Sequence, residues 1–146
     1  MRKGSLFILI LLFTLTVSRA YSQCDTFEFL DNCTEQIKSY TFIKSFDINF
    51  ANKKSSSKKN VAEFSYPFNS GHTYIFATCG GNEMNMIINL YDKSKKLIAT
   101  NYLASSNKFY ETIVYECNAT AEYFFEVSFE KNQVGCGVVV MGFKAR

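Results

Sequence analysis

The sequence predicts an all-β protein, an antiparallel sandwich of about eight strands preceded by one short helix. Three observations carry this reading. From Tyr40 to Phe143 apolar and aromatic residues recur with a period of two, polar turns rich in Gly, Asn, Asp and Ser separate the segments, and all of it fits within about 100 residues. A strand with one apolar face needs a second such face against it, and two facing sheets supply that most economically.

Taken in order, the chain opens with Arg2 and Lys3, then an uninterrupted apolar run from Leu6 to Val17, then small residues at Ser18, Ala20 and Ser22. This pattern predicts a secretory signal peptide over residues 1–22, leaving one domain over residues 23–146. The run is shorter than the roughly 20 residues a spanning helix needs, and no later segment approaches that length, so no transmembrane segment is expected in the mature chain. Cys24 follows Tyr21-Ser22-Gln23, which lacks the small apolar pattern of a lipidation signal.

Charge tells the same story. The chain carries 16 Lys+Arg against 13 Asp+Glu, a formal +3, yet Arg2, Lys3 and Arg19 account for the whole excess. The remainder is neutral, which argues against nucleic acid or an anionic membrane as the partner.

Asp25-Thr26-Phe27-Glu28 fits a capping box, with Asp25 accepting from the Glu28 N–H and Glu28 reaching back. Phe27, Leu30, Thr34 and Ile37 then recur at helical spacing and predict a helix over about residues 26–38. On a regular helix Cys24 and Cys33 stand about 13 Å apart, beyond the ~7 Å limit for a bridge. Each is therefore expected to pair with a distant cysteine.

From Tyr40 the period becomes two: Tyr40, Phe42, Phe46, Ile48 and Phe50 alternate, with Lys44 the one break. Asn52–Asn60 is wholly polar with four lysines, and without interleaved Arg or aromatics it reads as a solvated loop rather than an anion site. Phe64, Tyr66 and Phe68 share the next strand face, where Pro67 points to an edge position or a bulge. Asn69-Ser70-Gly71 is a turn, Tyr74 to Cys79 a strand stopped by Gly80-Gly81, and Met86, Ile88 and Leu90 define another strand closing on Asp92-Lys93-Ser94. Leu97–Tyr102 is a weaker strand; Phe109–Tyr115 and Tyr123–Phe129 alternate cleanly. Cys136–Phe143 is a continuous apolar run suited to a central position.

These segments resemble two groups of exported proteins. Phe64-Ser-Tyr-Pro-Phe68, Gly71-His-Thr-Tyr74, Leu90-Tyr91-Asp92, Ile113-Val-Tyr115 and Tyr123-Phe-Phe-Glu-Val127 resemble the jelly-roll, pre-peptidase C-terminal domains of secreted bacterial peptidases. Cys24, Cys33, Cys79 and Gly135-Cys136 through Gly142-Phe143 are similar to the arrangement in small uncharacterised secreted bacterial sandwich proteins with a two-cysteine N-terminal helix. The resemblance implies a jelly-roll-like sandwich in which Cys24 and Cys33 pair with Cys79 and Cys136, in an order left open. Cys117 has no counterpart in that pattern and is the expected free thiol.

Catalytic chemistry is sparse. The single histidine, His72, lies seven residues before Cys79, and no Gly-x-Ser-x-Gly, His-Glu-x-x-His or phosphate-cradling loop occurs. Zinc would require closer Cys/His pairs, and Asp92 lacks the surrounding acids a calcium loop needs, so no metal or cofactor is predicted. Glu63, Glu111, Glu116, Glu122 and Glu126 mostly alternate with apolar residues and read as a solvated face, though two of them could form a glycosidase-like pair. Asn32-Cys33-Thr34 and Asn118-Ala119-Thr120 are formal glycosylation sequons. The 24 Phe and Tyr residues read chiefly as core, and the absence of Trp disfavours a sugar-binding platform.

The reading that follows is an exported, non-catalytic binding module of the periplasm, envelope or exterior, whose partner is an envelope protein or surface polymer. The expected contacts come from the sheet face carrying Tyr91, Tyr110 or Tyr115, or from loops such as Asn52–Asn60 and Ala104–Lys108. The alternatives are a secreted hydrolase using surface carboxylates and a structural accessory subunit.

Overall fold

The computed structural model describes residues 25–50, 60–81 and 85–146. The signal-peptide segment, Cys24 and all of the Asn52–Asn60 loop except Asn60 lie outside the described residues. One helix, α1 (Thr26–Gln36), precedes ten strands: β1 (Thr41–Asn49), β2 (Val61–Phe68), β3 (His72–Gly80), β4 (Met86–Tyr91), β5 (Leu97–Thr100), β6 (Tyr102–Leu103), β7 (Lys108–Phe109), β8 (Thr112–Glu116), β9 (Ala121–Phe129) and β10 (Cys136–Ala145). The first sheet runs β1-β10-β3-β8, the second β2-β9-β4-β5, and β6 and β7 form a separate ribbon. All of these pairings are antiparallel. With the ribbon left out of the count, the eight sandwich strands pair as 1-8-3-6 over 2-7-4-5, the jelly-roll arrangement. Pro67 sits on β2, an edge strand, as its missing N–H requires.

The inner faces of the sheets make one core. Phe46, Ile48, Phe76, Val139 and Met141 come from the first sheet, and Phe68, Ile88, Leu90, Phe125 and Val127 from the second. Phe125 sits among three rings, with centroids 4.9 Å from Phe46, 5.2 Å from Phe64 and 5.2 Å from Phe76. A smaller cluster forms on the other side of the first sheet, where Ile75, Ala77, Val138 and Val140 meet Cys33 and Ile37 of the helix region. This explains the unbroken apolar run in β10: the strand is central, and both of its faces are covered.

Four local expectations are corrected. Asp25 caps α1 by accepting from the Phe27 N–H at 3.1 Å, one residue earlier than a capping box places it. The helix buries Cys33 and Ile37, with Phe29 and Leu30 packed beside them, and leaves Phe27 79% exposed. The Cys33–Cys79 disulfide fixes that rotation by holding Cys33 against β3. In β1 a bulge at Ile43 resets the alternation, so Ile43 packs on the core while Phe42, paired with Gly142, lies 49% exposed on the other face. Lys44, the break in the stripe, then falls on the same face as Phe46, with Nζ 5.2 Å from its ring centroid.

The fourth correction concerns Leu97–Tyr102 and Phe109–Tyr115, each of which is split into two strands around Asn101. This side chain is 1% exposed. Its Oδ1 accepts from the Ile88 N–H at 2.8 Å, and its Nδ2 donates to Met86 O at 2.8 Å and Tyr110 O at 2.9 Å. The amide thus takes the place of ladder bonds and turns the chain out into the ribbon. Asn101→Ala would leave buried backbone groups of β4 without partners, and a loss of about 2–3 kcal/mol is expected in urea unfolding.

Candidate binding face

Because α1 covers the outer face of the first sheet, the candidate face is the outer face of the second, bordered at one end by Tyr102 of the ribbon and by Lys131 and Asn132. Alternation in β2, β4 and β9 sends Glu63, Ser65, Asn89, Tyr91, Phe124 and Glu126 outward while their neighbours fill the core. Register then sets them side by side: Glu63 faces Glu126, Ser65 faces Phe124, and on the other flank of β9 Asn89 faces Glu126 and Tyr91 faces Phe124. Glu63, Ser65, Tyr91, Phe124 and Glu126, together with Lys95 from the β4–β5 turn, line a groove of about 390 Å³, within the usual range for ligand sites.

Two contacts order the groove. The Tyr91 hydroxyl donates to Glu126 Oε2 at 2.9 Å. Burial first, and then this bond to Glu126, push the Tyr91 hydroxyl pKa above its ordinary value, so the phenol remains a donor. Lys95 has a left-handed backbone (φ 63°) and carries its Nζ to 3.2 Å from the Phe124 ring centroid. Asp92 sets that turn: its Oδ1 accepts from the N–H groups of Ser94 at 2.8 Å and Lys96 at 3.0 Å, and from the Ser94 hydroxyl at 2.6 Å. Those donors, Ser94 foremost, hold the Asp92 carboxyl below its usual pKa.

A second groove, about 540 Å³, continues along the same face past Asn89 and is lined by Ile87, Tyr102, Ser128, Lys131 and Asn132 among others. Lys131 and Asn132 are both left-handed, at φ 54° and 57°. That is a strained pair of non-glycine residues, held in part by the Asn60 N–H donating to Asn132 Oδ1.

The expected contact residues separate. Tyr91 lines the groove; Tyr110 stands 45% exposed in a different pocket, beside Phe29 and Gln36 of the helix. Tyr115 points inward next to Ile113 and packs on the core, its hydroxyl 3.4 Å from that of Tyr123, while Val114 takes the outward position. Tyr115 is thus partly buried and lies apart from the groove that Tyr91 lines. The Ala104–Lys108 loop is the ribbon's turn, closed by stacking of Tyr102 on Phe109 at 4.5 Å.

Cys33 is bonded to Cys79, Cys136 is disulfide-bonded, and Cys117 is free and buried, its thiol donating to Ala119 O at 3.1 Å. His72 lies at one end of β3 with its ring 5.4 Å from Phe143, and Cys79, near the other end of the strand, is tied up in the disulfide. The two form no nucleophile–base pair. Of the five glutamates, Glu63 and Glu126 are brought together and Glu116 pairs with Arg146 at 3.3 Å. Among the described residues no group of three or more His, Cys, Asp or Glu could hold a metal ion, and no helix is long and apolar enough to cross a membrane.

Sequence reading missed Lys95, Phe124 and the joining of Glu63 to Glu126. The outward alternation of Phe124 and Glu126 was visible, but the β4–β5 turn carrying Lys95 has none, and the pairing of β2 with β9 is a long-range register with no local signal.

The fold is a disulfide-bonded jelly roll with a polar-aromatic groove on the outer face of its second sheet. No family model matches the chain, and no curated protein matches it. Among solved structures it is similar to Aeromonas hydrophila PliG, a periplasmic lysozyme inhibitor of g-type lysozyme. The identity is 10%, the TM-score 0.50, and the match covers 73% of this chain and 90% of that one. At that identity the likeness is one of fold.

Proposed function

We propose that this chain is an exported, non-catalytic binding module that acts in the periplasm, at the envelope or outside the cell by docking a partner protein on the outer face of the second sheet. The observation that carries the reading is the groove itself, where an aromatic ring, a phenol donor, two carboxylates and an ammonium converge on one open face. Disulfides are features of oxidising compartments, which supports export, as does the signal-like N-terminus. The fold shared with a periplasmic inhibitor supports a protein as the partner and an inhibitor-like mode of action. Kinship with the small two-cysteine-helix sandwich proteins belongs to the same proposal.

Affinity purification from the native envelope, run in parallel with wild type and Tyr91→Ala, tests it. A protein retained by wild type and lost with Tyr91→Ala is the expected result; no retained protein, or equal retention by both, overturns it.

One observation favours a second reading, hydrolysis by a carboxylate pair: Glu63 and Glu126 stand directly opposite one another in a groove. Against it, a general acid needs a desolvated carboxyl, and Glu63 is exposed. Polysaccharide turnover abolished by Glu63→Gln would favour the hydrolase.

A further inference from the structure

We propose that the groove takes an arginine side chain of the partner protein, seated between Glu63 and Glu126, and that Lys95 is a built-in occupant which that arginine displaces from Phe124. The inference rests on the binding reading above and names the chemistry the face recognises.

Two independent observations carry it. The first is electrostatic. Glu63 and Glu126 are directly opposite in the β2–β9 register, and like charges in that position repel. Tyr91 fixes one of them, donating to Glu126 Oε2 at 2.9 Å, which orients the carboxylate without neutralising it. Among the described residues lining the groove Lys95 is the only cation, so two carboxylates there face one ammonium and leave one negative charge over. A sheet face that keeps such a pair gives up stability in the free protein, and an incoming cation removes that repulsion.

The second observation is that a cation already sits here. The Lys95 ammonium lies 3.2 Å from the centroid of Phe124, whose ring forms one wall of the groove. The wall is a cation-binding surface in use. Its occupant comes from an exposed turn, and a solvent-exposed cation–π contact is weak. Lys95 can therefore swing away at little cost.

Arginine suits the site better than lysine. A planar guanidinium offers a fork of donors to two carboxylates while stacking on an aromatic face, whereas an ammonium is a point charge. Directly opposed residues across a strand pair have Cβ atoms about 4.5–5.5 Å apart, close enough for one guanidinium to touch both carboxylates.

The test uses the disulfide-bonded protein and three short peptides that differ in one residue, arginine, lysine or citrulline, followed by amide chemical shifts. The arginine peptide is expected to shift signals confined to residues 63–65, 91–95 and 124–126. The citrulline peptide, similar in shape but uncharged, is expected to bind at least tenfold more weakly. Glu63→Gln with Glu126→Gln should weaken arginine binding tenfold or more, whereas Lys95→Ala should tighten it severalfold by vacating Phe124. Glu63 and Lys95 are exposed, so the fold should be retained, and unchanged signals elsewhere in the spectrum verify it. Glu63→Gln should also raise the melting temperature of the free protein slightly.

Equal binding of citrulline, or weaker binding in Lys95→Ala, overturns the inference. So does retention on a surface polysaccharide that survives both glutamine substitutions. A protein partner lost with Tyr91→Ala but kept by the double glutamine variant would leave the binding reading standing and remove this one.

Discussion

Phe125→Ala is expected to destabilise the protein by about 3–5 kcal/mol, a large part of the 5–15 kcal/mol typical of a whole domain. The ring is 1% exposed and joins the two sheets through Phe46 and Phe76, so its loss opens a cavity where neither sheet can close without moving the other. Urea unfolding should show a lower midpoint at an unchanged slope. Its chain neighbour makes the contrast. Phe124 points to the opposite face, half-buried under Lys95, and Phe124→Ala should cost only about 1 kcal/mol from lost apolar burial while removing a wall of the groove. One of these adjacent phenylalanines holds the sheets together, and the other lines the groove.

Removal of the Cys33–Cys79 bridge is expected to cost about 4 kcal/mol. The two residues are 46 apart in sequence, and closing a loop of that length restricts the unfolded chain by roughly this amount. The paired change Cys33→Ala with Cys79→Ala should lower the melting temperature by roughly 10–20 °C. Damage should concentrate where the bridge acts: α1 should exchange its amides faster, since the packing of Phe29, Leu30 and the adjoining Ile37 on the first sheet would lose its covalent tie to β3. The groove lies on the far sheet, so arginine-peptide binding at a temperature where the variant is folded should be unchanged. Peptide mapping without reduction should return the Cys33–Cys79 pair and find Cys117 alkylated only after unfolding, as its burial requires.

How far the fold was legible depended on whether the signal was local. Strand alternation is local, and it gave the inward faces of β2, β4 and β9 correctly; Pro67 marked the edge, and the run from Cys136 marked the centre. The bulge at Ile43 was hidden because an extra residue in one strand is defined only against its partner, and Phe42 looked like core until Gly142 was placed opposite it. Asn101 was hidden for a related reason: a polar residue in a weak strand reads as exposed unless the backbone groups it satisfies on Met86, Ile88 and Tyr110 are known. The helix face turned on Cys33, whose bridge to Cys79 outweighed the apolar pattern that had placed Phe27 inside.

The site was less legible than the fold. Tyr91 was identified as an outward tyrosine, while Tyr115 belongs to the core and Tyr110 to another pocket. Glu63 and Glu126 were each read as solvated, which they are in part. What gives them meaning is that β2 and β9 bring them into register, so that two surface glutamates stand directly opposite one another in the groove.

The most direct test of the binding face is position-resolved photo-crosslinking in the native envelope. A crosslinking side chain replaces Ser65, inside the groove, or Val114, 52% exposed on the edge strand of the first sheet. The expected result is one defined protein adduct from position 65, competed by the arginine peptide, and none from position 114. An adduct from position 114 alone, or none from position 65, would contradict the assignment of the second sheet's outer face as the site where this protein meets its partner.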